Sequence, residues 1–149
     1  MLGSDYDQAI DLWSLGCIFG EIMERQVIFQ GASHWAQIQK ICTRVGKPTA
    51  AMLQKMNVSA TVQRYVLSLP EPGPNHKPLG TGAAWSDRSA VGFLERVLSF
   101  EPTERLTAQG ALQHPFMAPL HNPAKEPEAD FVCRCGGTPA VSYAVLLRL

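Results

Sequence analysis

Four histidines, four cysteines and three closely spaced aspartates are the residues of this sequence best suited to hold a metal or move a proton. Their spacing argues against both. Asp5, Asp7 and Asp11 begin like a calcium loop, but the alternation then breaks and the closing glutamate is missing. Cys133 and Cys135 form a lone C-x-C, whereas a structural zinc site needs four ligands, usually as two pairs. No second pair exists, and His121 is a poor candidate to complete one. Cys17 and Cys42 fall inside apolar helical patterns, where a thiol behaves as a small hydrophobe. His34, His76, His114 and His121 show neither ligand nor triad spacing, and no nucleophile stands beside a base. The expectation is a chain with no metal site and no catalytic residue of its own. Its cysteines suit a reduced, intracellular setting, in the cytoplasm or the nucleus.

Composition agrees with a packed domain. Of 149 residues, 46% are apolar and 17% charged, enough to build one hydrophobic core. Lys plus Arg and Asp plus Glu both total 13, so net charge gives no reason to expect nucleic acid or a membrane surface as partner. Met1-Leu2-Gly3-Ser4-Asp5 interrupts any signal-peptide core, and the apolar stretch Ala140–Leu147 is too short to span a bilayer.

The elements that would position functional residues are helical. Gln8–Met23 is apolar around nearly its whole circumference, which predicts a helix buried on all sides. Asp7 or Asp5 can cap it, and Asp11 stands near its first turn, where the helix dipole favours a negative charge. Ser33 caps a second helix to Val45, with Trp35, Ile38, Ile41, Cys42 and Val45 on one stripe and Gly46 and Pro48 as a stop. Ser59–Leu67 forms a shorter helix with Val62, Tyr65 and Val66 inward, ended by Pro70. Glu71–Ala84, rich in Gly and Pro, reads as an irregular loop. Ser86 caps an amphipathic helix over Asp87–Ser99, and Thr107 caps a last short helix closed by His114-Pro115. His121–Ala129 is polar and extended along a surface, and Val132–Leu149 carries no helical stripe. Periodicity alone therefore predicts a mainly α fold, a helical bundle without strands.

Several segments carry a resemblance. Asp11-Leu12-Trp13-Ser14-Leu15-Gly16-Cys17-Ile18 resembles the D-x-W-S-x-G-C-I of the central helix of eukaryotic protein kinases, and Val27-Ile28-Phe29-Gln30-Gly31 resembles the P-I/L-F-x-G that follows it. Independently, Phe93-Leu94-Glu95-Arg96-Val97-Leu98, Phe100-Glu101-Pro102, Glu104-Arg105-Leu106-Thr107-Ala108 and Ala111-Leu112-Gln113-His114-Pro115-Phe116 resemble the last block of the kinase domain. Tyr65-Val66-Leu67-Ser68-Leu69-Pro70 and the extension His121-Asn122-Pro123-Ala124-Lys125-Glu126-Pro127-Glu128-Ala129 are similar to features of mitogen-activated protein kinases. The resemblance implies a partial kinase C-lobe over residues 1–119, a family-like extension over 120–130 and a divergent tail over 131–149.

The family transfers the γ-phosphate of ATP, with magnesium, to Ser or Thr, often before Pro. That chemistry needs a Gly-rich loop, a strand Lys paired with a helix Glu, an H-R-D catalytic loop and a D-F-G metal ligand. None occurs in these 149 residues, nor does the N-lobe, the activation loop or the A-P-E. The resemblance therefore implies a fragment of a kinase, without cofactor of its own, inactive by itself and possessing scaffold and docking surfaces. The other reading is a non-catalytic binding module that competes for kinase partners. By resemblance, Asp11 is a buried scaffold aspartate, Trp13 and Gly16 belong to the same structural motif, and Arg105 pairs the absent A-P-E glutamate. Removing such partners predicts a chain of low stability. Leu2, His34, Trp35, Ile38 and Tyr65 match a hydrophobic pocket for Phe-containing peptides, although Trp35 and Ile38 also suit the inward stripe of their own helix. By resemblance, Glu126, Glu128 and Asp130 are the remnant of an acidic docking surface, weakened because Asn122, Ala124 and Lys125 stand where the family usually has acids; a solvated polar tail is the other reading of the same residues. The partners implied are docking peptides of substrates or regulators, and the remainder of a kinase domain.

Overall fold

The computed structural model describes residues 4–71, 73 and 77–126, with side chains from Ala9 onward. Leu2, His76, Cys133, Cys135, Glu128, Asp130 and the divergent tail lie outside the described residues, as do the side chains of Asp5 and Asp7. Six α-helices follow in order: α1 Ser4–Glu24, α2 His34–Val45, α3 Ala50–Lys55, α4 Ala60–Ser68, α5 Arg88–Val97 and α6 Ala108–Leu112. Two 3₁₀ turns, Ala83–Trp85 and Pro123–Lys125, complete the order, and no strand occurs among the described residues.

Local chemistry explains most of the boundaries. Side chains of Ser33, Thr49, Ser59 and Thr107 accept hydrogen bonds from the backbone N–H three residues on, satisfying first-turn donors of α2, α3, α4 and α6. Gly46, at φ 114°, ends α2 in a conformation that side chains disfavour. Helix α3 is an addition to the sequence reading; its Thr49 cap after buried Pro48 was the available signal. The cap of α5 is Asp87 rather than the expected Ser86. Trp85, 4% exposed, anchors the 3₁₀ turn, so Ser86 still has helical dihedrals and the chain first extends at Asp87, whose carboxylate accepts from Ser89 N at 2.8 Å.

The main core forms where α1 meets α5. Leu12 and Trp13 of α1 pack with Val91, Phe93, Leu94, Val97 and Leu98, the last two almost inaccessible. Close approach depends on Gly16, where a Cβ would lie 2.7 Å from Leu98 Cδ2 and 2.8 Å from Val97 Cγ2. A second cluster, Ile38, Cys42, Leu53, Met56, Val66 and Leu69, joins α2, α3 and α4. Phe100 packs against both clusters, and an ion pair between Lys55 and buried Glu101 ties α3 to the loop after α5. Behind these, Glu24 at the end of α1 receives Arg44 of α2 and, at 3.4 Å, the indole N–H of Trp85, while Arg44 also donates to Lys77 O at 3.2 Å.

One expectation is corrected. Helix α1 is not buried on all sides: Leu15, Ile18 and Ile22 are 43%, 57% and 67% exposed. With exposed Asp11 they form one stripe at i, i+4, i+7 and i+11. Apolar composition reports a demand for cover, and α5 and the Trp85 turn supply it on one flank only.

Candidate functional site

Trp35, Ile38 and Tyr65 come together from two helices. The Ser33 cap aims α2 so that His34 and Trp35, in its first turn, face outward while Gln37 and Ile38 face in. Inside the preceding turn, Gln37 Oε1 accepts from Gly31 N at 2.7 Å and its amide donates to Phe29 O at 3.2 Å, which fixes where α2 begins. Helix α4, capped by Ser59, brings Tyr65 alongside. Its ring lies 4.6 Å from that of Trp35 at 59°, and its hydroxyl donates to Trp35 O at 3.1 Å. Trp35 keeps 42% of its surface exposed, Tyr65 is half-buried and His34 is exposed.

The result is an aromatic step on the surface, backed by core. Ile38, expected as a pocket wall, is 5% exposed and belongs to the cluster beneath, as the inward stripe of its helix requires, whereas Trp35 stays on the surface. Beneath the step an apolar cavity of about 80 Å³ is lined by Ile38, Leu53, Met56, Val62 and Val66, and on its far side by Trp13 and Phe100. Cys42 also faces it. Burial pushes that thiol up to about 11 against the opposing charge of Lys47, so it is a hydrophobic wall and not a nucleophile at neutral pH. Burial does the same to Cys17, helped by Glu21, again to about 11.

The family-motif residues separate. Trp13, 5% exposed, stacks near Phe29 and Phe100 at 6.4 and 5.9 Å between centroids. Arg105 lies over its ring at 5.1 Å and is itself 5% exposed. By resemblance Arg105 pairs an A-P-E glutamate that these residues do not include; in this structure its guanidinium donates to Ser99 O at 2.8 and 3.1 Å and to Ala9 O of α1. Backbone carbonyls of a turn and of α1 thus accept from its N–H donors. Asp11 was expected buried and is exposed, so it suffers no desolvation.

The acidic remnant is only partly described. Glu126 turns back on its own segment, accepting from Asn122 N at 2.8 Å and meeting His121 Nδ1 at 2.9 Å. The backbone bond from Asn122 leads, with His121 adding to it, in holding this carboxyl below its usual range. Within the stretch His121–Ala129, expected to be extended, Pro123–Lys125 forms a 3₁₀ turn, and residues 127–129 lie outside the described residues. Among the described residues no three His, Cys, Asp or Glu side chains converge as metal ligands, and no helix is long and apolar enough to cross a membrane.

Comparison with known proteins adds identity to geometry. The family model for the protein kinase domain matches residues 1–117. The chain is 40% identical over 124 residues to mitogen-activated protein kinase mpkC of Aspergillus oryzae, covering 83% of this chain and 35% of that protein. It is 39% identical over 125 residues to mitogen-activated protein kinase hog-1 of Neurospora crassa, covering 84% and 34%. Mitogen-activated protein kinase 1 of Oryza sativa subsp. japonica is 37% identical over 132 residues, covering 83% and 30%. The chain spans about a third of the length of these relatives.

Proposed function

Because the chain belongs to the protein kinase family, and its relatives include mitogen-activated kinases, we propose that it is the substrate-docking and scaffold portion of a serine/threonine kinase of that type. The parent enzyme transfers the γ-phosphate of magnesium-bound ATP to Ser or Thr, preferentially before Pro, inside the cell. These 149 residues contain no Gly-rich loop, H-R-D or D-F-G, so the chain alone neither holds ATP nor transfers phosphate. Its partners are docking peptides of substrates and regulators, and polypeptide that supplies the catalytic segments.

The observation that carries the reading is the Trp35–Tyr65 step. An exposed aromatic ring packed on the ring of Tyr65, whose hydroxyl bonds the backbone carbonyl of Trp35, and backed by a packed cluster, is a low-entropy anchor for an apolar side chain of a peptide. Leu2, matched to the same pocket, lies outside the described residues. The acidic surface of Glu126, Glu128 and Asp130 contributes less, since Glu126 is already engaged by His121.

Fluorescence anisotropy with a labelled Phe-containing docking peptide tests this. Trp35→Ala is expected to weaken binding at least tenfold and Tyr65→Phe a few-fold. A Trp35→Ala chain that keeps both its helical content and its peptide affinity removes the docking reading. The alternative, a non-catalytic competitor for kinase partners, is favoured by the same missing motifs. Tight binding of magnesium–ATP to the chain would defeat both.

A further inference from the structure

A hollow of about 320 Å³ lies where α2, α3, α5 and the loop before the Trp85 turn meet, within the range of roughly 300–1,000 Å³ usual for small-molecule sites. All of its walls come from residues 44–100, inside the stretch that the protein kinase model matches, and none stands on α1.

Local chemistry opens this corner. Gly46 and Pro48 end α2 and turn the chain into α3, so Val45 and Met52 supply walls from two separate helices. The carbonyl of Arg44, in the last turn of α2, has no partner within the helix. Leu79 N donates to it at 2.9 Å, and Arg44 Nη1 donates to Lys77 O at 3.2 Å, which fixes the loop as a further wall. Leu94 and Leu98, one turn apart on α5, are 2% and 1% exposed, so the floor belongs to the packed core. Phe100 completes it, its ring held 5.9 Å from that of Trp13.

Charge decides what the hollow suits. Arg44 and Glu95 are its two ionisable side chains. The charge of Arg44 is already met by Glu24, and its Nε is buried, so an anion would compete with Glu24 for the same guanidinium. Glu95 is exposed and, among the described residues, makes no hydrogen bond or ion pair. It shares a helix face with Leu98 and Ser99. A free carboxylate thus borders an apolar floor, with the Ser99 hydroxyl, bonded at 3.4 Å to Glu101 O, as one further polar group.

We propose that this hollow binds a small organic cation: an ammonium or guanidinium head paired with Glu95, joined by a short chain to an aromatic or branched apolar body seated against Leu94, Leu98 and Phe100. Desolvation of the apolar body supplies most of the affinity, and the unmatched carboxylate selects the sign of the head group. The site shares no wall residue with the Trp35–Tyr65 step and does not depend on the docking reading.

Titration of the full 149-residue chain with phenylbutylamine, followed by backbone amide NMR shifts, tests this. Phenylbutanol and phenylpentanoate serve as neutral and anionic probes of matching length. The amine is expected to bind at millimolar concentration or tighter, at least threefold better than the alcohol and at least tenfold better than the carboxylate. Glu95→Gln, at an exposed position, should weaken the amine at least threefold and leave the alcohol within twofold. A diazirine on the ring of the amine should label the walls within 44–52 and 94–100, with labelling suppressed by excess unmodified amine. The proposal is overturned by no binding of the amine, by equal or tighter binding of the carboxylate, or by labels elsewhere. An amine affinity unchanged in Glu95→Gln, or a parallel loss for the alcohol, overturns it as well. Peptide binding at Trp35 is read separately by anisotropy, so either proposal can fail without the other.

Discussion

Gly31 and Gly92 should answer the same substitution with opposite signs. At Gly31 a Cβ would sit 2.3 Å from Gln37 N, 2.6 Å from Gln37 Cα and 2.8 Å from the carbonyl carbon of Ala36. All are backbone atoms of the first turns of α2, so no rotamer change gives relief. Comfortable carbon contacts lie near ~3.5 Å, and the loop must withdraw by roughly 1 Å. Withdrawal breaks the 2.7 Å bond from Gly31 N to Gln37 Oε1, inside a side chain that is 7% exposed. Overpacking costs about 1–3 kcal/mol and the lost buried bond about 1–3 kcal/mol, so Gly31→Ala should destabilise by roughly 2–6 kcal/mol. At Gly92, in the middle of α5, the nearest atoms are 4.0 Å away on His114, an ordinary contact. There Ala gains about 0.5–1 kcal/mol of helix propensity. At roughly 3–4 °C per kcal/mol, thermal melts by circular dichroism should show Gly31→Ala lower by at least ~6 °C and Gly92→Ala slightly higher. A Gly31→Ala melt within ~2 °C of the parent, or an equal fall in both variants, refutes the packing argument.

Other outcomes follow from the same geometry. Arg105→Lys replaces a fork that serves Ser99 O and Ala9 O with a point charge that cannot reach both, and should cost about 2–4 kcal/mol in urea unfolding. Burial alone would raise the Glu24 carboxyl, but hydrogen bonds from Gln26 and Arg44, the Arg44 charge and the Trp85 indole outweigh it and hold it low. A carboxyl depressed in the folded state stabilises above its unfolded value, about 4.3, and that stability is lost as pH falls through the folded value. Stability should therefore drop below about pH 4.5, with a shallower slope in Glu24→Gln; Asp87 and Glu101, held low by Ser89 and Lys55, supply the remaining slope. Cys17 and Cys42, with thiols raised to about 11, should react with a disulfide reagent at pH 7.5 at least tenfold more slowly in the folded chain than in urea.

Much of this molecule was legible from local sequence. Caps at Ser33 and Thr107, the stop at Gly46 and the stripes of α2 and α5 involve neighbours within a turn, and their chemistry needs no tertiary partner. The pairing of Trp35 with Tyr65 came through family resemblance, because thirty residues separate them and no periodicity spans that gap. Tertiary structure alone decided which apolar surface is covered. Leu12 and Leu15 are the same residue type on the same helix, yet one is 6% and the other 43% exposed, because α5 packs on one flank of α1. It also decided how Arg105 is satisfied. A guanidinium can be met by any arrangement of acceptors within reach, and the carbonyls of Ala9 and Ser99 become such acceptors only once α1 and the turn after α5 are folded together. Sequence thus determined most of the helices and the inward stripes of α2 and α5, since those follow from bonds within a turn and from periodicity. The neighbours of each face, and with them the exposure of Asp11 and the stripe beside it, follow from contacts between distant segments, which only the packed chain contains.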